Sequence, residues 1–406
     1  MTKISPAMRA MLASRSAPAI VHMAAYANAG LTPLIPSLFE GLDVVSRELV
    51  GFIPGVARSA TTERAAVGQS VTYHIAPPAN TFNVTPAMTV PEPTDQTLTN
   101  GSLTITKAKG AEFGYTGEEQ RGLNTGAGYM SVQADQFAQG LRALTNEIEL
   151  DLAVAAAAGA SRAYGTAGTA PFATDLSDTA QLRKILDDNG APPSMRSLVI
   201  NTSAGARVRT LTQLTKANEA GTMLTLRQGE LMDIHGFSLK ESGQTVNKVK
   251  GTGTAYTSTA AGFAIGTTSI PLITGSGTAL AGDVVTFAGD PNKYVVATGV
   301  AAPGTIVLAA PGLRQALPAV ATAMTIGNNY AANVAFSQNA LVLAARAPAL
   351  PEQGDSAIDR RTMVDPRSGL SFEVSMYAVY RKVRLEVALA WGVKATKPEH
   401  IALLLG

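Results

Sequence analysis

The sequence contains no cysteine and little charge, and both absences narrow its possible functions. Without cysteine, a disulfide framework, a thiolate metal site and a cysteine nucleophile are excluded. Charged residues make up 15% of the 406 residues, against about 25% in typical soluble domains, so extensive burial of surface is expected. The 32 basic and 30 acidic residues give a net charge of +2, too balanced for a sequence-specific nucleic-acid-binding protein.

Long apolar runs are missing as well. No segment approaches the ~18 apolar residues that a membrane helix needs, so no membrane partner is expected. The first residues imitate a signal peptide, but Arg9, Arg15 and His22 interrupt the apolar stretch, which favours cytoplasmic synthesis. Residues 1–39 hold no acidic residue. This basic segment, with Lys3, Arg9 and Arg15, is predicted to be either a solvated terminus or an arm that docks on an acidic partner.

Motifs that carry chemistry are scarce. The four histidines lie far apart and lack metal-ligand spacing, so they are not interpreted as ligands. Gly275-Ser-Gly277 begins like a dinucleotide-binding loop, but Leu280 occupies the third glycine position. No catalytic residue, cofactor or metal site is predicted, and the chain is not expected to be an enzyme.

One segment resembles the nucleophile elbow of a hydrolase. Asn201-Thr-Ser203 follows a predicted strand and opens a predicted helix, with Ser203 in the position of the nucleophile. However, Asn201 stands where the elbow requires glycine. We therefore interpret Thr202 or Ser203 as the residue that caps the helix.

Residues 57–122 combine β-branched runs with prolines and few large apolar side chains. Strands are predicted at Gln69–Ile75, Thr81–Thr85 and Ser102–Ala108. A segment of this kind cannot easily build its own core, so it is predicted to be an extended β-arm that packs on something else. Lys107 and Lys109 lie on it and are candidate assembly contacts.

The following segment carries the clearest helical signal, over Ser131–Ala158. One apolar stripe runs along it: Phe137, Leu141, Leu144, Ile148, Leu152 and Ala155. At 1.5 Å per residue this helix is ~40 Å long, which is typical of a structural strut. Helices at Ser177–Asn189 and Thr202–Leu214 around a buried strand at Ser197–Ile200 favour an α+β layer.

Residues 247–331 differ sharply in composition, with six charged side chains in 85 positions. Turn signals separate short alternating runs, which predicts a compact all-β domain inserted into the α+β host. Asp290 and Lys293 are its candidate assembly contacts. The predicted strands are Ser269–Ile273, Asp283–Ala288, Lys293–Thr298, Thr305–Ala309 and Ala321–Ile326.

Two alternating apolar runs follow the insertion. The first spans Leu370–Met376 and the second Val383–Val393, with opposite parity, so a turn is predicted between Ala378 and Lys382. These strands form a closing hairpin, followed by Pro398 and a short apolar tail. Trp391 is the only tryptophan, and its five apolar neighbours on one face predict a core anchor.

The closing segment resembles known proteins. Its most specific stretch is Trp391-Gly-Val-x-Ala-Thr-Lys397-Pro-Glu399. With Gly282-Asp-Val-Val-Thr-Phe287-Ala-Gly289 and Asn329-Tyr-Ala-Ala-Asn333-Val, it resembles the major capsid (coat) proteins of tailed double-stranded-DNA bacteriophages. The nearest branch is the short-tailed Salmonella phage (P-22 type) branch, which carries an inserted β-domain.

The resemblance implies an α+β, Hong-Kong-97-type capsid fold with a spine helix, an extended β-arm and an inserted all-β domain. The implied segments are an N-terminal arm and helix (1–56), the β-arm (57–125), the spine and peripheral part (126–246), the insertion (247–331) and the axial return with its tail (332–406). Such a protein forms pentamers and hexamers of an icosahedral shell in the host bacterial cytoplasm and resides in the virion capsid. Its implied partners are a scaffolding protein, a portal protein and packaged double-stranded DNA bound non-specifically.

Another branch of the fold forms lysine–asparagine crosslinks, but lysines on an exposed arm are usually solvated. Crosslinking through Lys107 or Lys109 is therefore not expected. Two alternatives remain: a cellular encapsulating shell protein of the same fold, and a secreted serine hydrolase or adhesin that uses Ser203. Size-exclusion chromatography or negative-stain imaging would separate particles from a monomer.

Overall fold

The computed structural model describes residues 49–59, 63–75, 84, 99–124, 129–211, 214, 233–301, 303–365 and 368–406. The predictions for the basic N-terminal segment with Lys3, Arg9 and Arg15, for the N-terminal helix implied within residues 1–56, and for most of the strand at Thr81–Thr85 concern residues outside these ranges. The described part is mostly strand with few helices. The predicted α+β class is therefore not confirmed and stays a prediction.

Two of the three predicted helices end where the sequence indicates. The described part contains α1 (Gly117–Asn124), α2 (Tyr129–Ala158), α3 (Ser177–Asp188) and α4 (Thr202–Thr210). The long helix is confirmed as α2, and Phe137, Leu141, Leu144, Ile148 and Leu152 on its predicted stripe are buried. Helix α4 ends four residues before the predicted Leu214, because Leu211 adopts an extended conformation.

Strands dominate the remainder of the described chain. The first twelve are β1 (Ala57–Arg58), β2 (Ser70–Ile75), β3 (Thr99–Thr104), β4 (Lys107–Thr116), β5 (Arg162–Tyr164), β6 (Arg196–Ile200), β7 (Asp233–Ile234), β8 (Phe237–Glu241), β9 (Asn247–Lys248), β10 (Thr254–Ser258), β11 (Ser269–Ser276) and β12 (Thr278–Ala279). The others are β13 (Val284–Phe287), β14 (Lys293–Thr298), β15 (Val300–Ala301), β16 (Gly304–Leu308), β17 (Ala323–Ile326), β18 (Tyr330–Ser337), β19 (Leu341–Arg346), β20 (Ala357–Val364), β21 (Ser371–Val379), β22 (Lys382–Ala395) and β23 (Ile401–Leu405).

The chain divides into two compact units, and the smaller contains residues 109–144 and 347–389. In it β20, β21 and the first part of β22 form an antiparallel meander. The β21–β22 turn at Tyr380 and Arg381 confirms the predicted turn, and Arg381, its second central residue, has a positive φ of 54°. Phe113 of β4 contacts the ring edge of Phe137 on α2 at a centroid distance of 4.5 Å.

The larger unit contains residues 48–108, 145–346 and 390–406. Its main sheet, as far as the described residues show, runs β13-β17-β10-β11-β16-β14-β5-β23-β18-β6-β8-β7, with β9 paired to β18. Helices α3 and α4 pack on β6, β8 and β23 around a core that includes Leu182, Leu198 and Leu404. A separate core that includes Tyr256, Ile270 and Leu308 fills the 247–331 region.

Residues 401–405 form strand β23, not the tail that the sequence suggested. All five side chains are buried. β23 pairs antiparallel with β18 and parallel with β5, so it lies in the interior of the sheet. Its uninterrupted apolar run is what a strand buried on both faces requires.

All five strands predicted for residues 247–331 are present, as β11, β13, β14, β16 and β17. The entry and exit of the region lie side by side, because Lys248 of β9 pairs with Tyr330 of β18. The region is not isolated from its host, however. Lys293 and Tyr294 of β14 pair with Ala163 and Arg162 of β5, so one sheet continues across the predicted boundary.

Candidate assembly region at the base of the hairpin arm

Strands β2 and β3 form a two-stranded antiparallel sheet that we call the hairpin arm. Six residue pairs join them, from Ser70 and Thr104 at the arm base to Ile75 and Thr99 at the far end. Polar side chains on one face are exposed, including Thr72 and Ser102. An isolated two-stranded hairpin is at best marginally stable in water, so its stability depends on what it packs against.

The arm base packs against a small apolar cluster. Leu103 and Ile105 are buried together with Ala65, Ala344 of β19 and Ala390 of β22. Val71 and Tyr73 on the same face of the arm contact this cluster and are half-buried. The arm is therefore amphipathic at its base, with an apolar face against β19 and β22 and a polar face in solvent.

A charged group fixes the chain just after the arm. Lys107 lies 2.9 Å from Glu147 Oε1 and 2.8 Å from Asp151 Oδ1, both on α2. The other oxygen of Asp151 accepts the indole N–H of Trp391 at 2.8 Å. The Lys107 ammonium also lies 6.0 Å from the centre of the Trp391 ring, within the range of a cation–π contact.

This environment keeps Lys107 charged. The hydrogen bond to Asp151, followed by that to Glu147 and the charges of both carboxylates, raises the pKa of Lys107 despite partial burial. The expectation that Lys107 forms no crosslink stays a prediction.

Strand β22 holds the arm base through its backbone and one lysine. Thr106 donates its amide to the carbonyl of Trp391 at 3.0 Å, and Lys394 donates to the carbonyl of Ser102 at 2.7 Å. Gly392 lies against the carbonyl of Thr104, where an added Cβ would come within 2.2 Å of the oxygen. Glycine is therefore required at 392 for this close approach of two backbones.

The chain before the arm is fixed by a second carboxylate of α2. Glu149 is 1% exposed and accepts amide hydrogens from Gly51, Phe52 and Ile53 at 2.6, 2.7 and 3.0 Å. Burial raises the pKa of Glu149 against the opposing effect of these hydrogen bonds. Beyond it, Ala57 and Arg58 of β1 pair with Val342 and Leu343 of β19.

The structure places the candidate assembly residues in several locations. It brings Lys107 and the fully buried Trp391 together through Asp151. Lys109 is exposed, two residues further along β4. In the 247–331 region, Asp290 accepts hydrogen bonds from Asn292 and Tyr294, and Lys293 donates to the carbonyl of Gly165. An assembly role for any of these residues stays a prediction.

Sequence reasoning missed both carboxylates that hold the arm. The apolar stripe of the predicted helix singles out neither Glu149 nor Asp151. A signal was available for Glu149, because Ala153 and Ala156, about one and two turns further along the same face, are small and apolar. Asp151 gave no comparable signal, since its partners Lys107 and Trp391 are distant in sequence.

The serine that could have indicated a hydrolase is part of an ordinary helix start. Asn201, not Thr202 or Ser203, is the capping residue, and its side-chain oxygen accepts the Ala204 amide at 2.8 Å. Ser203 is an exposed residue in the first turn of α4. The predicted cap was thus wrong by one or two residues, because asparagine caps as well as serine does.

Within the described ranges, no group of three or more potential ligands could hold a metal ion. No helix in that part of the chain is long and apolar enough to cross a membrane.

Comparison with known proteins gives structural neighbours only. No family model matches the chain, and no curated protein matches it. Among solved structures it is similar to the capsid of the cyanophage P-SCSP1u, with 11% identity, 88% of each chain covered and a TM-score of 0.48. It is also similar to the mature capsid of bacteriophage PhiM1, with 11% identity, 87% of this chain and 86% of that chain covered, and a TM-score of 0.39. A virus-like particle from Pyrococcus furiosus is similar as well, with 11% identity, 91% of this chain and 96% of that chain covered, and a TM-score of 0.38.

Proposed function

We propose that this chain is the major capsid protein of a tailed double-stranded-DNA bacteriophage, with a Hong-Kong-97-type fold. It builds a shell from many copies of itself, arranged as pentamers and hexamers of an icosahedral head. Its role is structural and not enzymatic. Its proposed partners are a scaffolding protein, a portal protein and non-specifically bound DNA. We propose that it assembles in the host bacterial cytoplasm and resides in the virion capsid.

One observation carries the proposal. The stretch of sequence with the most specific resemblance to phage coat proteins begins at Trp391, and the same residues hold the base of the hairpin arm. Trp391, Gly392 and Lys394 each contact the arm base or the carboxylate that fixes it. The motif therefore has a structural role in this chain, which is to set the position of the hairpin arm.

A two-stranded hairpin with a fixed base suits a shell subunit. Its two strands pair with each other over six residues, and within the described part they form a sheet of their own. We propose that the arm contacts a neighbouring copy, which would bury the surface that the subunit leaves exposed. Large permanent interfaces of this kind also suit a chain with only 15% charged residues.

We retain the predicted segments as the proposed domain organisation, with one modification. The 247–331 region has its own core and adjacent ends, which favours an inserted domain. Because β14 pairs with β5, the insertion and its host share a sheet. We propose that it moves with its host and not as an independently hinged domain.

Assembly of the purified full chain tests the proposal. We expect shells or rings in negative-stain electron microscopy and a high-mass species in size-exclusion chromatography, with co-expressed scaffolding protein where this is needed. In the test variant, a two-residue Asn-Gly turn replaces residues 76–98, which keeps the six-pair ladder and removes the segment that connects its two strands. This variant should fold as a soluble subunit that forms no shells.

Arg207→Gln is the matched control, because Arg207 is an exposed residue of α4 far from the arm in sequence. Both variants should keep the wild-type thermal transition. Shells formed by the shortened arm would refute its assembly role. A monomer at all concentrations of the wild-type chain, with scaffolding protein present, would refute the shell function itself.

A further inference from the structure

A cleft in the larger unit lies where β5, α3 and the start of β14 meet. Its volume is about 230 Å³. The charged residues that line it are Arg162, Lys184, Asp188 and Lys293. Three cations and one carboxylate give these lining residues a formal charge of +2.

The central cation of the cleft is held rigidly. Arg162 is 4% exposed, and its Nη2 donates to the Ile185 carbonyl at 3.2 Å and to Asp188 Oδ2 at 3.1 Å. Nη2 also reaches Asn189 Oδ1 at 3.4 Å, Nη1 reaches Asn292 at 3.3 Å, and the buried Nε has no acceptor. Of the five N–H groups of the guanidinium, one on Nη1 therefore stays unused beside the buried Nε–H. Such a group is fixed before any ligand arrives.

The two lysines complete the cationic lining from different elements. Lys293 is opposite Ala163 in the β14–β5 pairing, and its ammonium is fixed on the Gly165 carbonyl. Lys184 is exposed on α3 and can turn toward a ligand. A ligand in this cleft would contact β5, α3 and β14 together, and would therefore connect the 247–331 region to its host.

We propose that this cleft binds a phosphate-class dianion. A lining charge of +2 matches a phosphate group with a charge of about −2, and an arginine N–H forms a strong, charge-assisted hydrogen bond to such oxygens. A water molecule could satisfy one orphan N–H but would leave the excess positive charge unbalanced. The proposal is independent of the shell function, since it concerns a site inside one subunit.

Isothermal titration calorimetry of the full chain with inorganic phosphate, at constant ionic strength, tests the proposal. We expect one site per chain and an increase in the melting temperature with phosphate concentration, because a ligand that binds only the folded state stabilises it. Lys184→Gln removes one exposed cation of the lining and should weaken binding by about fivefold. Arg207→Gln, with the same change of charge outside the cleft, should leave the affinity unchanged.

Adenosine monophosphate in a second titration distinguishes a free phosphate from a phosphate carried by a nucleoside. If adenosine monophosphate binds more tightly than inorganic phosphate, with the same dependence on Lys184, the ligand of the site is a phosphate attached to a nucleoside. No binding of either compound, or binding that Lys184→Gln leaves intact, would overturn the proposal. It would also be overturned if a DNA duplex without terminal phosphates bound in a Lys184-dependent manner while both compounds failed.

Discussion

Trp391 donates its indole N–H to Asp151 across 240 positions of the sequence, at a distance of 2.8 Å. The same carboxylate binds Lys107 through its other oxygen, so one aspartate joins the spine helix, the closing strand and the base of the hairpin arm. An aspartate in this position has both oxygens occupied by donors. The Asp151 carboxylate is therefore the point at which these three segments of the chain meet.

We expect Trp391→Ala to lower the free energy of unfolding by roughly 3–5 kcal/mol, because it empties a fully buried aromatic site. Trp391→Phe should cost less, since it keeps most of the apolar contact and loses the hydrogen bond to Asp151. Urea denaturation measures both. As Trp391 is the only tryptophan, wild-type emission should be blue-shifted and protected from quenchers. A red-shifted, freely quenched emission would contradict the burial.

Lys107→Gln should cost no more than about 1 kcal/mol of subunit stability, since the lysine side chain is 35% exposed and solvent screens the ion pair. The pKa of Lys107 is raised in the folded state, so the stabilisation is complete below the usual value of 10.5 and is lost as the pH rises through the folded pKa. The stability difference between wild type and Lys107→Gln should therefore stay constant near neutral pH and shrink at strongly alkaline pH. A difference that is already lost at neutral pH would show that the ion pair does not form.

Glu149→Ala should destabilise the subunit more than Glu149→Gln, because alanine leaves three buried amide hydrogens without an acceptor. Glutamine retains one oxygen for Gly51 and Phe52 but presents an amide to Ile53. We expect about 1–2 kcal/mol for glutamine and clearly more for alanine, measured by chemical denaturation. Equal losses would show that the carboxylate is not holding this segment.

The pH dependence of the same site has a defined sign. The pKa of Glu149 is higher in the folded chain than its usual value of 4.5, so the folded state binds the proton more tightly. This contribution to stability is therefore complete below pH 4.5 and falls as the pH rises toward the folded pKa. Glu149→Gln cannot titrate at this position. The difference in the free energy of unfolding between wild type and Glu149→Gln, measured as a function of pH, therefore reports the Glu149 titration. A difference that does not change with pH would contradict the raised pKa.

Asn201→Ala should cost about 1 kcal/mol, since it removes the side chain that caps α4. Ser203→Ala, two residues later on the exposed side of the helix, should change stability by no more than about 0.5 kcal/mol. Thermal unfolding of the two variants gives the comparison. The Ser203→Ala variant also tests the alternative that the chain is a serine hydrolase. An esterase activity of the wild-type chain that Ser203→Ala abolishes would support that alternative.

Residues 247–331 expressed alone should give dispersed β-type amide spectra, because the region has its own core. Removal from the host also exposes the edge of β14 that pairs with β5. Free strand edges tend to pair with other chains, so we expect the fragment to self-associate as its concentration rises. A random-coil spectrum would show that the core depends on the host strand.

Local patterns predicted much of the fold. The helix of α2, the five strands of the insertion and the β21–β22 turn all follow from periodicity and turn residues, which act over a few positions. Residues 401–405 were misread because a five-residue apolar run does not reveal its neighbours in the sheet. The shared sheet between insertion and host was missed for the same reason, since Ala163 and Lys293 are 130 positions apart.

The candidate site was less accessible to sequence reasoning. Lys107 and Trp391 were each singled out, one as a surface contact and the other as a core residue, and their proximity could not be predicted. Asp151 joins them through tertiary contacts that no local pattern encodes. Glu149 was missed because a charged residue on a helix is usually solvated, and its ligands are backbone amides from a distant segment.

Because β23 lies in the interior of the sheet, the sheet of the larger unit cannot be completed until residues 401–405 have been synthesised. β5 and β18 each contact β23, and the sheet has a gap between them until residues 401–405 fill it. Those residues leave the ribosome after all the strands that they join. A chain that ends before residue 401 would leave the edges of β5 and β18 unpaired. The sheet can therefore be completed only after the last strand has been synthesised.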